Sequence, residues 1–183
     1  MSYFEAFPKT TFNNETVLDI TRRAKIVTRI RDLVYDYATY TVKEGERPED
    51  IAYFYYDDAT YAWLVLLAND IVDPFSDWAK SQEELEEYIK LKYEAQSGET
   101  GRAVLEWAQN ETITENIVHY ESKFNSNIKL NVATHTEFPN AEFRAVRVYD
   151  YEVAQNEAKR EITLINRRYL TKIEQLVKEA LSE

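Results

Sequence analysis

The stretch from Tyr40 to Pro74 constrains the fold more than any other part of the sequence. Residues 40–42 indicate a strand, and the chain breaks at Gly45, a residue that tolerates positive φ without steric cost. Pro48 then marks the start of a helix, because its missing N–H would have no partner in the first turn in any case. Helical spacing predicts the buried face of this helix, which comprises Ile51, Ala52 and Tyr55.

A second helix and a second strand complete the stretch. Asp58 is suited to cap a helix from Ala59 to about Ala68, and Asn69 can end that helix in a left-handed conformation. Residues 71–72 then predict a short returning strand, which Pro74 closes because proline cannot donate to a ladder. The order strand, helix, helix, strand predicts a small α+β module.

The same residues carry a resemblance to a known family. The pattern strand-K-x-G-x-x-P-x-x-I-A, followed by a helix that ends L-L-x-N, resembles the LysM module, which binds N-acetylglucosamine polymers. A longer combination is more specific: GERPEDIA, YAWLVLLAND, DPFSDW and SQEELEEYI. It resembles the small LysM-containing baseplate wedge proteins of T-even-like contractile-tailed phages. The segment NEAKREITLINRRYLTKIEQLVKEAL resembles the C-terminal part of the same family.

Charge and composition limit the classes of partner. The chain has 22 Lys and Arg against 33 Asp and Glu, a formal net charge of −11. Such a surface repels phosphate backbones and anionic lipids, so we expect neither nucleic acid nor a membrane as a partner. Basic patches on other proteins are the better candidate partners. There is no cysteine, no apolar run near the ~20 residues of a bilayer span, and no signal-like N-terminus. These features predict a soluble protein made in a reducing compartment, which the resemblance implies is the host cytoplasm.

Residues 1–39 are predicted to form an N-terminal arm with a short strand and a short helix. Residues 17–20 indicate the strand, and apolar residues at helical spacing over 26–34 indicate the helix. The basic spot at 21–23 can pair with carboxylates of a partner or with nearby aspartates of the chain itself.

Residues 40–96 are predicted to comprise the LysM-like module and one further helix. Ser81 and Glu84 form a capping box at the start of that helix, which should end by 97–98. The segment RAVLEWAQ that follows is apolar at both the helix and the strand period, so it leaves both states open.

Residues 97–183 complete the chain with a hairpin and a C-terminal strand and helix. The predicted elements are hairpin strands at 117–120 and 128–132, a short helix over 149–157, a strand over 161–165, and a final helix after a cap at Asn166.

Sequence motifs of catalysis are not evident. His119 and His135 lie in or beside the hairpin without the spacing of a metal site. The sequence has no nucleophile elbow, phosphate loop or dinucleotide fingerprint. Composition alone leaves a glycosidase-like carboxylate pair open, but the pair 57–58 fits a turn and a cap. We therefore predict no enzyme and no catalytic, cofactor-binding or metal-binding residue.

The LysM-like module is the candidate site. The resemblance implies a sugar groove between two loops, which by position contain Gly45, Glu46, Arg47 and Pro48 in the first and Asn69, Asp70, Ile71 and Val72 in the second. Turns, caps and core explain most of these residues. The charged Glu46, Arg47 and Asp70 remain, and charged side chains suit a protein partner better than a neutral glycan.

The second helix gives a separate argument for a partner. Residues 61–68 are apolar on every side, whereas a surface helix has one polar side. With Trp63 in the core, a free module would expose Tyr61, Leu64, Val65 and Ala68. Either the C-terminal strand and helix, residues 17–38, or a neighbouring subunit must cover this face. Tyr61, Leu64 and Val65 thus join the two loops as predicted partner-binding residues.

The resemblance implies a structural subunit of the tail baseplate of the virion. Such a subunit would clamp other wedge components and join adjacent wedges around the hub, and it would touch wedge proteins and possible hub proteins. The alternative is a LysM-type module that binds peptidoglycan or N-acetylglucosamine polymers, and a tail-associated muramidase is a third hypothesis.

Overall fold

The computed structural model describes residues 9–19, 30 and 32–182. Antiparallel strands and separate helices confirm the predicted α+β class. The elements in chain order are β1 (Lys9–Phe12), β2 (Glu15–Leu18), β3 (Tyr37–Thr41), α1 (Pro48–Tyr56), α2 (Ala62–Ala68), α3 (Pro74–Asp77), α4 (Gln82–Ser97), α5 (Arg102–Gln109), β4 (Ile117–Ser122), β5 (Lys129–Leu130), α6 (Val132–Glu137), β6 (Phe143–Arg147), α7 (Val148–Ala158), β7 (Glu161–Ile165) and α8 (Leu170–Ser182). Short 3-10 turns precede α2 and α8, at Ala59–Tyr61 and Arg167–Tyr169.

The chain divides into two compact units. Unit 1 consists of residues 1–78 and 160–183, and unit 2 of residues 79–159. Their limits differ from those of the three sequence segments, because β7 returns to pair with β3 of the N-terminal half. Unit 2 therefore lies, along the chain, between two parts of unit 1.

The hairpin β1–β2 begins the described part of unit 1. Its register pairs Thr10 with Val17, and its two turn residues, Asn13 and Asn14, have φ of 50° and 63°. Two consecutive left-handed residues are the signature of the tight turn whose twist matches that of a hairpin. The predicted strand at 17–20 thus starts earlier and ends by Leu18. The basic spot at 21–23 lies outside the described residues.

The short helix predicted over 26–34 is described only in part. Residues 30, 32 and 33 are helical, and Ile30 and Val34 are buried. The remaining predicted positions of that helix lie outside the described residues.

The central sheet of unit 1 is the antiparallel pair β3–β7, in which Thr39 lies opposite Thr163. Just beyond the ladder, Val42 N donates to Arg160 O at 2.8 Å. The predicted returning strand at 71–72 is therefore wrong, since the strand that pairs with β3 comes from the C-terminal part of the chain. Its predicted bounds, 161–165, are confirmed.

The chain after α2 forms a left-handed helix cap instead of a strand. Ile71 N donates to Leu66 O at 3.0 Å, and Asp70 N donates to Leu67 O at 3.3 Å. These two backbone hydrogen bonds define the Schellman motif, and its left-handed residue is Asp70, with φ of 59°. Asn69, predicted to be left-handed, has φ of −110°. Ile71 packs inward as the apolar residue that follows such a cap, so it is not free to extend.

The start of α1 follows the sequence signals closely, whereas α2 begins at Ala62, after a 3-10 turn at Ala59–Tyr61, and not at the predicted Ala59. Pro48 is the first residue of α1, after Gly45 with φ of 69°. The buried side of α1 contains Ile51, Ala52 and Tyr56, while the predicted Tyr55 is half-buried. Asp58 caps the 3-10 turn before α2 by accepting from Thr60 N at 2.8 Å, a bond that lowers the pKa of its carboxyl.

The helices of unit 2 pack around one apolar cluster. The capping box before α4 is confirmed, since Ser81 N donates to Glu84 Oε2 at 2.9 Å while Ser81 Oγ accepts from Glu84 N. Gly98, with φ of 70°, ends α4. The segment RAVLEWAQ is the helix α5. Buried residues of α4, α5 and α7 meet in the cluster, which comprises Leu85, Ile89, Ala108 and Val148.

The sheet of unit 2 has the strand order β5–β4–β6. The predicted hairpin is confirmed by the pairing of Tyr120 with Leu130, and the third strand, β6, was not predicted. The second hairpin strand is shorter than expected, because Asn131 caps α6 by accepting from Thr134 N at 2.7 Å. The helix predicted over 149–157 is α7, one residue longer at each end.

Candidate functional site

The first predicted loop, 45–48, is held together by an inward-facing carboxylate. The Tyr40 hydroxyl donates to Glu46 Oε1 at 2.8 Å, and Lys43 N donates to Glu46 Oε2 at 2.9 Å. Burial and then the Glu46 carboxylate raise the pKa of Tyr40 to about 12. Trp78 Nε1 also donates to Glu46 O at 2.8 Å. Glu46 therefore fixes this turn, and its carboxylate is engaged within the chain.

The other residues of the first loop differ in their accessibility. Gly45 and Arg47 are exposed, whereas Pro48 is buried at the start of α1. Arg47 precedes the helix, and its N–H donates to Asp50 Oδ2 at 3.0 Å. Arg47 thus offers the charged side chain that this loop presents on its surface.

The second predicted loop, 69–72, is anchored to β7 by Asn69. Asn69 Nδ2 donates to Thr163 O at 2.8 Å, and Thr163 N donates to Asn69 Oδ1 at 2.7 Å. Nδ2 also donates to Val65 O at 2.8 Å. Ile71 is buried, and Asp70 and Val72 are exposed. Asn69 and Ile71 are accordingly part of the fold, and Asp70 provides the exposed charge of this loop.

The apolar face of α2 is covered within the chain. Leu64 and Val65 are both 0% exposed, and α2 packs against β7. Of the covers considered from the sequence, the C-terminal strand β7 packs on α2, and the C-terminal helix reaches the residue just before α2 through the hydrogen bond from Tyr61 to Glu174. The prediction that Leu64 and Val65 contact a partner is therefore wrong, because no surface remains at either side chain. Trp63, predicted to be core, is half-buried.

Tyr61 joins α2 to the C-terminal helix. Its hydroxyl donates to Glu174 Oε1 at 2.6 Å, and burial followed by this carboxylate raises its pKa to about 12. Tyr56 makes a parallel connection, since its hydroxyl donates to Ile165 O at 2.9 Å. Tyr61 is half-buried and already has a polar partner, so little of it remains for another protein.

Large apolar side chains are exposed elsewhere on unit 1. The most exposed aromatic residues of this unit are Phe12 (67%), Tyr35 (84%), Tyr53 (61%), Phe54 (75%) and Phe75 (90%). Sequence reasoning did not single out Tyr53 and Phe54. The available signal was helical geometry, which places both residues opposite the buried Ile51 and Ala52. Unit 2 also exposes apolar residues, chiefly Phe124, Phe138, Leu91 and Ile128.

A polar cleft of about 550 Å³ lies in unit 2 and is lined by Gln109, Glu111, Ala145, Arg147, Tyr149 and Asp150. The Arg147 guanidinium is occupied: Nη1 donates to Ile113 O at 2.8 Å and to Asn116 Oδ1 at 2.7 Å, and Nη2 donates to Glu111 O at 2.6 Å. Asn116 is 0% exposed. The Arg147 guanidinium thus stabilises the loop between α5 and β4 through these three hydrogen bonds.

Each of the two histidines packs its ring against a tyrosine ring. His119 is half-buried with its ring edge-on to Tyr151, and burial, followed by the charge of Lys129, lowers its pKa. His135 lies in α6, and its ring stacks on Tyr120 at 3.7 Å. Within the described ranges, no group of three or more His, Cys, Asp or Glu residues could hold a metal ion. Nor is any helix in the described part of the chain long and apolar enough to cross a membrane.

Comparison with known proteins defines the class and then the family. A family model described as "Base plate wedge protein 53" matches residues 6–178, nearly the whole sequence. The class is therefore a structural protein of the phage tail baseplate. The chain belongs to the base plate wedge protein 53 family. The resemblance drawn from the sequence to a baseplate wedge protein is confirmed, while its LysM part stays a prediction.

The chain is also similar to the baseplate wedge protein gp53 of Enterobacteria phage T4. The two are 28% identical over 137 residues, which cover 72% of this chain and 66% of the relative. The match thus spans slightly less than two thirds of the relative's length. Neither comparison supports the alternative of a peptidoglycan-binding module.

Proposed function

We propose that the chain is a non-catalytic subunit that clamps other components of a baseplate wedge and joins adjacent wedges around the hub. The observation that carries the proposal is the family match over residues 6–178. The surface supports the proposal, because the chain exposes several aromatic side chains. Aromatic residues contribute much of the binding energy at protein–protein interfaces.

Two exposed loop charges are retained as partner contacts in this proposal. Arg47 stands before α1 and Asp70 stands in the cap after α2, and both are exposed. Charges at the rim of an interface set orientation and register more than affinity. The basic residues Arg22 and Arg23 are a further candidate contact on the N-terminal arm.

Location of the chain in intact particles tests the proposal. A phage deficient in this protein is complemented with a tagged copy, and the tag is located in baseplates by electron cryo-microscopy. We expect density at the boundaries between wedges. Complete baseplates that form without the chain, or a tag located away from the wedges, would contradict the proposal.

The glycan alternative is separated by a sedimentation assay with insoluble peptidoglycan. We expect the purified chain to stay in the supernatant. Saturable cosedimentation would favour a wall-binding module, and loss of turbidity of the cell-wall suspension would favour a muramidase.

The loop charge is tested by Arg47→Glu with Arg47→Gln as its control. A carboxylate just before α1 suits the positive end of the helix dipole, so both variants should fold. We expect reversal of the charge to reduce incorporation into baseplates more than its removal does. Equal incorporation of both variants and the wild type would show that this loop faces solvent.

A further inference from the structure

The outward side of α1 is built from carboxylates and aromatic rings. It comprises four exposed residues of the helix and the exposed residue that caps its C-terminal end, and these are called here the acidic–aromatic face: Glu49, Asp50, Tyr53, Phe54 and Asp57. The two rings are large exposed surfaces, at 61% for Tyr53 and 75% for Phe54. Burial of the opposite side of the helix against unit 1 fixes the direction in which this face points.

Helical spacing brings these residues together. Asp50 lies one turn before both rings, because residues three and four apart are neighbours on a helix. Asp57 directly follows the last helical residue as its left-handed C-cap, with φ of 63°. The rings of Tyr53 and Phe54 pack edge to face, with centroids 5.9 Å apart and planes at 69°. Glu49 lies one turn before Tyr53. The face is thus two adjacent rings flanked by carboxylates along the helix axis.

The charge of this face has one sign within the helix itself. The sequence of α1, PEDIAYFYY, contains two acidic residues and no Lys or Arg. At the C-terminal end, the Arg167 guanidinium of the same chain pairs with Asp57. The chain thus already places one guanidinium against this face. Near the N-terminal end, Glu49 and Asp50 have no Lys or Arg within the helix. The exposed Arg47 directly precedes the helix, and its backbone N–H donates to Asp50 Oδ2 at 3.0 Å.

Such a surface is complementary to a cationic segment. A guanidinium or ammonium group is attracted to the face of an aromatic ring, and a guanidinium also forms strong hydrogen bonds with a carboxylate. A second copy of the chain is a poor occupant, since its net charge of −11 would be repelled. We propose that the acidic–aromatic face binds an Arg- or Lys-bearing segment of another baseplate protein. This inference rests on the proposed function and adds the chemistry of the partner.

Photo-crosslinking in assembled particles identifies the occupant. The chain carries p-benzoylphenylalanine in place of Phe54, which keeps an aromatic side chain at that position, and complements a deficient phage. Purified baseplates are irradiated and the cross-linked residues are identified by mass spectrometry. We expect cross-links to a different baseplate protein, at a segment rich in Arg or Lys. Cross-links to an acidic or uncharged segment, to a second copy, or to nothing would overturn the inference.

Competition between variants and wild type measures the contribution of the face. The double variant Tyr53→Ala/Phe54→Ala removes both rings, and Tyr53→Phe/Phe54→Tyr keeps them as a matched control. Loss of two interface aromatics should lower incorporation relative to wild type at least about tenfold, with the control near wild type. The single variant Glu49→Lys should lower incorporation in the same direction. Circular dichroism of each purified variant checks that these exposed substitutions leave the fold intact.

The outcomes separate this inference from the proposed function. Absence of the wild-type chain from baseplates would overturn both. If the wild type is incorporated and the ringless variant competes equally with it, the chain remains a baseplate subunit and the acidic–aromatic face is not its contact.

Discussion

The side chain of Asn69 and the backbone of Thr163 bind each other in both directions, with N–O distances of 2.8 and 2.7 Å. In an antiparallel pair, alternate residues point their N–H and C=O groups away from the partner strand. Val42 N donates to Arg160 O, so the backbone of residue 160 points towards β3. By this alternation, the N–H and C=O groups of Thr163 and Ile165 point away from β3. Asn69 binds those of Thr163, and the Tyr56 hydroxyl binds Ile165 O. Side chains of two helices thus close the outer edge of β7.

Replacement of Asn69 tests the importance of this edge. Asn69→Ala leaves both backbone groups of Thr163 without their amide partner, and we expect a loss of about 1–3 kcal/mol in the free energy of unfolding. Urea denaturation followed by circular dichroism measures it. Gln175→Ala is the control, because it removes an exposed amide from α8 and should change stability by less than about 0.5 kcal/mol. A loss for Asn69→Ala no larger than that of the control would show that water replaces the amide.

The buried face of α2 is tested by a matched pair of valines in unit 1. Val65 is 0% exposed and Val72 is 72% exposed. Val65→Ala removes buried carbon atoms and leaves a cavity, so we expect a loss of about 2 kcal/mol in unfolding free energy, with a change below about 0.5 kcal/mol for Val72→Ala. Similar values for both in urea denaturation would contradict the covered position of α2.

Arg147 should matter to stability through its hydrogen-bond geometry. Its guanidinium donates to two backbone carbonyls and to the buried Asn116, a set that a single ammonium group cannot reproduce. We expect Arg147→Lys to cost about 1–3 kcal/mol in thermal or urea unfolding. Arg102→Lys changes an arginine of unit 2 that is 89% exposed at its side chain, and we expect almost no change there. Equal stability of the two variants would refute the structural role of Arg147.

His119 should make stability depend on pH. Burial lowers its pKa in the folded chain below the ordinary value of 6.5, so the unfolded chain binds the proton more readily. Its contribution is fully present above that ordinary value and is lost as the pH falls from there through the folded pKa. His119→Phe keeps a ring beside Tyr151 but removes the titrating group. Between pH 7 and pH 5, we expect the variant to lose less unfolding free energy than the wild type, and an identical loss would contradict the prediction.

Local signals in the sequence predicted several helix ends, although the left-handed residue after α2 is Asp70 and not the predicted Asn69. Ser81 with Glu84, Pro48, Gly98 and Asp58 act through bonds or backbone preferences within a few residues, so the sequence alone determines them. The two periods of RAVLEWAQ could not be separated in this way. Tertiary packing decided for a helix, because Val104 and Ala108, four residues apart, are both buried.

Long-range pairing was decided only by the tertiary structure. The residues at 71–72 have strand propensity, but the cap at Asp70 turns them away and β7 takes the place beside β3. The same choice buried Leu64 and Val65, which a local module would have exposed. The sequence by itself determined the family, the acidic character and those helix ends that have a local cap, such as Ser81 and Gly98. The strand that completes the sheet is selected by contacts between residues far apart in the chain. Local sequence signals act only over a few residues, so they cannot predict this pairing.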